Sequence, residues 1–176
     1  MTEHVSDNTF GLFTHRVIGA AKLDAQVYED VEADASALWQ SLAVVVLSGM
    51  AAGIGIVGFV GPLKTLSLAL GAILGWLFWA GLVFAIGNWL LPTTETRADW
   101  GQLLRTTGFA TAPGLIGILG LAPPLTGFIT VIANIWILAA FVVAVRQALD
   151  YTSTWRALGV CLIGWFVYGG LMLLLL

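Results

Sequence analysis

The chain has 176 residues, of which 59% are hydrophobic and 10% charged, with a net charge of −3. A soluble domain carries about 25% charged residues, so this chain lacks the polar side chains to cover a water-facing surface, and its long Leu, Val, Ile and Trp tracts exclude disorder. One cysteine, Cys161, excludes a disulfide scaffold, and the unclustered bases exclude a phosphate-neutralising nucleic-acid surface.

Residues 1–37 hold seven acids (Glu3, Asp7, Asp24, Glu29, Asp30, Glu32 and Asp34) against two bases, Arg16 and Lys22. They lack the continuous apolar run of a cleavable signal peptide and are expected to form a cytoplasmic N-terminal arm. Phe10, Phe13, Val17, Ala20 and Ala21 recur at helical spacing, which predicts a short amphipathic helix over 9–22 lying in the membrane interface, with Gly11 and Gly19 weakening it. Asp24 predicts the N-cap of a second helix with Val27, Tyr28 and Val31 on one side and Glu29, Asp30 and Glu32 on the other. Asp34 or Ser36 is placed to cap the segment that follows. A loosely held tail is the alternative.

Residues 38–176 are expected to form a transmembrane domain of five helices, at about 38–61, 66–91, 100–122, 125–145 and 157–176. Each approaches the roughly 20 residues that cross a bilayer core. The predicted fold is thus all-α: a polytopic integral membrane protein of five transmembrane helices with a short amphipathic, acidic N-terminal helical arm. Pro123-Pro124 separates the third helix from the fourth, and Pro113 should kink the third, which starts near Asp99 or Trp100 with Arg105 close to the headgroups. With a cytoplasmic N-terminus, the inner side carries Arg16, Lys22, Arg97, Arg105, Arg146 and Arg156, and the outer side only Lys64. That bias predicts a multi-pass protein of the cell inner (plasma) membrane with its C-terminus on the opposite side.

Small residues four apart, Gly49/Gly53, Ala51/Gly55 and Gly71/Gly75, and the stripe Gly114, Gly117 and Gly120, let helix backbones approach closely. Bundle packing is their first reading; a homo-oligomer, or a groove for a lipid or partner helix, is the other. Two polar stretches fall on the cytoplasmic side, 93–105 and 146–156. Glu95, Arg97, Asp99, Arg105, Arg146, Asp150 and Arg156 form the expected polar cluster there, structural or binding. Arg146 should snorkel to the headgroups or meet Glu95, Asp99 or Asp150. The intramembrane polar groups are Asn88 and Asn134, and Asn134 near the midplane calls for a hydrogen-bond partner or a ligand.

No zinc, Walker or nucleophile-elbow motif is present, and His4, His15 and Asp7 match no metal spacing. No catalytic residue, cofactor or metal is therefore expected. The blocks Lys22-Leu23-Asp24, Tyr28-Glu29-Asp30-Val31-Glu32-Ala33-Asp34, Glu95-Thr96, Asp99-Trp100, Leu103-Leu104-Arg105-Thr106-Thr107-Gly108-Phe109-Ala110, Ala112-Pro113-Gly114, Trp136, Arg146-Gln147-Ala148-Leu149-Asp150 and Arg156-Ala157-Leu158 resemble the bacterial branch of the Yip-domain family. From about Arg16 onward the resemblance covers the chain. It departs at Ala35, where many bacterial relatives have proline. The resemblance implies five spans, a cytoplasmic N-terminus, and kinship with eukaryotic proteins that associate with Ypt/Rab small GTPases. The expected function is a non-enzymatic scaffold or adaptor that binds a protein or anionic lipid at its cytoplasmic face, with membrane lipids around it. The competing expectation is a small-solute or lipid transporter or channel with a pathway near Asn134.

Overall fold

The computed structural model describes the backbone of residues 3–58, 61–91 and 99–174, all of it helix and connecting turn. Helix α1 (Glu3–Ala21) and helix α2 (Ala25–Ala33) form the arm. The turn between them places Leu23 in the left-handed region at φ 64°, and the Asp24 side chain accepts from the Gln26 N–H, the N-cap that the sequence predicts. Gly19 is where the two helices meet: a Cβ there would lie 2.5 Å from Val27 Cγ2. The glycine that weakens α1 as an isolated helix is thus what lets α2 fold back on it.

Helix α3 (Ala37–Val57) ends at Gly58, whose φ of 75° closes it with an N–H donated to the Ile54 carbonyl. Pro62 opens helix α4 (Pro62–Ala85), at the position where a missing N–H costs nothing, and α4 continues into a π-helical turn over Ile86–Leu90. Helix α5 (Trp100–Phe109) carries a capping box, with Asp99 accepting from the Gln102 N–H and the Gln102 side chain accepting from the Asp99 N–H. A 3₁₀ helix over Ala112–Leu121 follows, then a short one over Pro123–Leu125, then helix α6 (Thr126–Ala148) and helix α7 (Thr154–Leu174).

The five membrane-length helices expected are not found among the described residues. Among the described residues three segments are long and apolar enough to cross a bilayer: Ala37–Val57, Pro62–Leu90 and Pro123–Ala148. The expected third span breaks because Pro113 offers no N–H to an α-helix and the backbone tightens around it. Thr111 donates to Gly108 and Gly114 to Thr111, both three-residue steps. The expected fifth span begins as α7, Thr154–Leu174, of which the part searched, Thr154–Tyr168, is a shorter apolar helix. Gly114, Gly117 and Gly120 are all buried in the 3₁₀ segment. With three residues per turn, they eclipse one another on a single face. That face lies on α3, where a Cβ on Gly117 would meet Ala52 Cα at 2.7 Å.

The arm shares the bundle's core. Tyr28 and Val31 of α2 are fully buried in one cluster with Val44, Val83, Leu103, Phe109, Val145 and Val160. The Tyr28 hydroxyl donates to the Ala20 carbonyl at 3.1 Å, and Trp136 Nε1 of α6 donates to the Ala21 carbonyl at 2.7 Å. Across the bundle, Ser41 Oγ donates to the Arg105 carbonyl and Trp76 Nε1 to Thr107 Oγ1, joining α3 and α4 to α5.

Candidate functional site

Two arginines decide how the arm sits. Arg16 projects from the same face of α1 as Phe13, Val17 and Ala20 and is only 6% exposed. Its Nη2 pairs with Asp34 Oδ2 at 2.8 Å and its Nη1 donates to Gln40 Oε1 at 3.0 Å, so one guanidinium joins α1, the segment after α2, and α3. Asp34 also accepts from the Ser36 hydroxyl and N–H. The Ser36 and Arg16 hydrogen bonds hold its carboxyl below the usual carboxylate range.

Arg105 was expected near the headgroups, and it is instead 9% exposed. Its Nε donates to the Val31 carbonyl at 3.2 Å and its Nη2 to the Glu32 carbonyl. These carbonyls belong to the last turn of α2, which has no helical partners for them and bears the negative end of the helix dipole. Arg105 therefore acts as a C-terminal cap supplied from α5.

Beside it a cavity of about 570 Å³ opens between arm and bundle, lined by Glu29, Glu32, Gln102, Arg146, Gln147 and Asp150. Gln147 Nε2 donates to Glu29 Oε1 at 2.6 Å. Half-buried Glu32 is pushed up to about 7, by desolvation first and then by Asp150, with Arg105 opposing and Glu29 adding. Asp150 is exposed, in the left-handed region at φ 51°, where α6 turns toward α7. Among the described residues Arg146 meets no carboxylate, contrary to expectation. It is exposed, and its Nε and Nη1 donate to the Tyr151 carbonyl and Thr154 Oγ1, both at 3.3 Å. The Tyr151 hydroxyl donates to the Leu91 carbonyl, and burial raises its pKa, with Arg156 opposing.

The predicted cluster is therefore only partly assembled. Arg146 and Asp150 line the cleft, Arg105 is buried against the end of α2, Asp99 is spent on capping α5, and exposed Arg156 starts α7. Glu95 and Arg97 lie outside the described residues. Arg16, Glu29 and Glu32 belong to this end of the bundle and were not singled out. A base at helical spacing with Phe13 and Val17 was the available signal for Arg16.

Half-buried Asn88 donates to the Phe84 carbonyl and exposed Asn134 to the Thr130 carbonyl, each one turn back on its own helix. Asn134 also lines a second cavity, of about 350 Å³, with Gly71, Gly75, Trp76 and Trp79. Among the described residues no three His, Cys, Asp or Glu side chains converge as a metal site.

A family model described as the Yip1 domain matches residues 11–176. Comparison with curated proteins and comparison with solved structures each gave no significant match.

Proposed function

The chain belongs to the Yip1 domain family of multi-pass, non-enzymatic membrane proteins, and on that premise we propose that it is a scaffold or adaptor whose arm-bearing end receives a protein through a basic segment. The burial of Arg16 and Arg105 carries this reading. With those two bases withdrawn, the exposed charges among the described residues of the arm and loops at this end include Asp24, Glu29, Asp30, Asp99 and Asp150 against Lys22, Arg146 and Arg156. An acidic face repels anionic headgroups and attracts lysine- or arginine-rich segments, so charge complementarity favours a protein over anionic lipid.

The reading places this end in the cytoplasm of a cell whose inner membrane holds the protein. Arg16, Lys22, Arg105, Arg146 and Arg156 lie on the side where α3 begins and α6 ends, while Lys64 stands on the first turn of α4, at the other end. The bacterial assignment goes with it, and no Rab-type GTPase is invoked.

A photoreactive residue at Asp30 or Thr152 of the full-length protein, in cells, tests the reading. Crosslinked partners should map to basic segments and disappear when Glu29→Lys and Asp150→Lys are combined. Crosslinking that survives this double reversal refutes it.

A further inference from the structure

The 350 Å³ cavity lies between α3, α4, the 3₁₀ segment, α6 and α7, at the lower end of the roughly 300–1,000 Å³ typical of small-molecule sites. Two of the small-residue pairs behave differently around it. Gly49 and Gly53 of α3 are packing glycines, since a Cβ on either would run into Ala72 or Leu68 of α4. A Cβ on Gly71 or Gly75 would meet nothing within 4 Å, so these two hold no helix against another. They leave a space.

That space contains hydrogen-bonding groups with nothing to bond. Ser48 is 4% exposed and lines the cavity, yet its Oγ has no partner, and the buried Nε1 of Trp79, also in the lining, has none either. Most buried polar side chains find a partner, and one that does not has given up its hydration for nothing in return. The indole can only donate and the hydroxyl can donate, so both ask for an acceptor oxygen. No Asp, Glu, Lys, Arg or His is in the lining, which rules against a charged guest, because an ion would have no counter-charge in an apolar surround. Thr111 and Asn134, also in the lining, already donate to carbonyls of their own segments, Gly108 and Thr130, and most of the rest is apolar or aromatic, Val45, Trp76, Ile137, Phe141 and Trp165 among others. Gly71, Asn134 and Trp165 are exposed at its margin, so the cavity communicates with the bundle's outer surface, where lipid would lie.

We infer that this cavity is a binding site for one neutral, lipid-soluble molecule bearing a carbonyl oxygen, with Ser48 Oγ and Trp79 Nε1 donating to the carbonyl and the space left by Gly71 and Gly75 taking the apolar body. Acyl esters with small uncharged heads and isoprenoid quinones share this chemistry. The site is separate from the acidic face and does not depend on its reading.

The test uses the full chain in nanodiscs of dialkyl-ether phosphatidylcholine, which contributes no ester carbonyl. One set carries a trace of a diazirine-labelled diacylglycerol, the other a diazirine-labelled benzoquinone with a prenyl tail. Labelling should map to peptides containing Gly71–Trp79 or Trp165–Tyr168 and should be competed away by the unlabelled compound of one set, which identifies the source. Ser48→Ala should weaken that saturable labelling roughly three- to tenfold, the equivalent of one hydrogen bond, without lowering the melting temperature, since it also removes an orphan hydroxyl. Gly75→Leu, or Gly71→Leu should the first not fold, should abolish it by filling the space. Labelling that is unsaturable with both compounds, or unchanged in the leucine variant, overturns the proposal.

Discussion

Arg16 and Asp34 form a 2.8 Å ion pair that closes the arm on itself, and the same guanidinium reaches Gln40 on the first spanning helix. It is the one ion pair among the described residues. The Arg16 side chain is 7% exposed and that of Asp34 31%, so the pair is partly wet. Breaking it from the arginine side leaves Asp34 with only Ser36 and costs about 1.5–3 kcal/mol, below the cost for a fully buried pair. Arg16→Leu should therefore lower the melting temperature in detergent more than Arg146→Leu, which removes only two 3.3 Å contacts of an exposed side chain. Equal shifts would show that the pair contributes nothing measurable.

Arg105 carries a separate prediction because its partners are backbone carbonyls. Arg105→Leu leaves the Val31 and Glu32 carbonyls at the end of α2 without their cap. Amide exchange over Ala25–Ala33 should accelerate, while exchange in α4 stays as it was. Arg105→Lys should fall between the two, since an ammonium keeps the charge but not the two-pronged reach. Uniform acceleration across all helices would mean that Arg105 supports the whole bundle rather than the arm.

The arm's helices and the start of α5 were legible because their signals are local. Asp24 and Asp99 each cap a helix within three residues of themselves, and Val27, Tyr28 and Val31 fall on one face at α-helical spacing. The roles of Arg16 and Arg105 were not legible, since their partners lie 18 and more than 70 residues away. A lone arginine beside an apolar run reads equally as a headgroup anchor. The error in the third span has a different origin. Gly114, Gly117 and Gly120 stand out in the sequence as a thin stripe, but their spacing of three is the repeat of a 3₁₀ helix, which the α-helical period does not reveal. Among the small pairs, Gly49 and Gly71 look alike in sequence. Only the position of Ala72 separates the one that packs from the one that leaves a void.

Glu32 makes the arm sensitive to acidity. Its pKa rises from an ordinary 4.5 to about 7 on folding, so between these values the folded protein holds a proton that the unfolded chain releases. Stability from this group is greatest below the lower value and declines as pH rises to about 7, the reverse of an acid held in an ion pair. Asp34 has the opposite sign, and its contribution is lost only as pH falls through its own lowered value. Amide exchange in α2 should thus be slower near pH 5 than near pH 8 after correction for intrinsic rates. Glu32→Gln should flatten the difference, and Asp150→Asn should reduce it by removing the like charge that raises Glu32 most. A difference that survives Glu32→Gln would assign it to another group.

The 3₁₀ segment allows a comparison of two glycine-to-alanine changes within apolar helices. At Gly117 the added methyl would lie 2.7 Å from Ala52 Cα and 3.0 Å from Ala52 N. Backbone cannot swing aside like the end of a side chain, so α3 and the 3₁₀ helix must separate, at a cost of about 1–3 kcal/mol or more. At Gly71 the methyl would enter open space, and alanine gains roughly 0.5–1 kcal/mol over glycine within a helix. Gly117→Ala should therefore lower the thermal midpoint in detergent and Gly71→Ala should hold or raise it. A fall in both would mean that Gly71 faces a neighbour after all, which would also remove the space that the intramembrane site requires. Ala52→Gly should partly rescue Gly117→Ala if the contact arises from α3 side-chain crowding, but it should fail if the clash is with the Ala52 backbone itself. The distances to Cα and N predict failure.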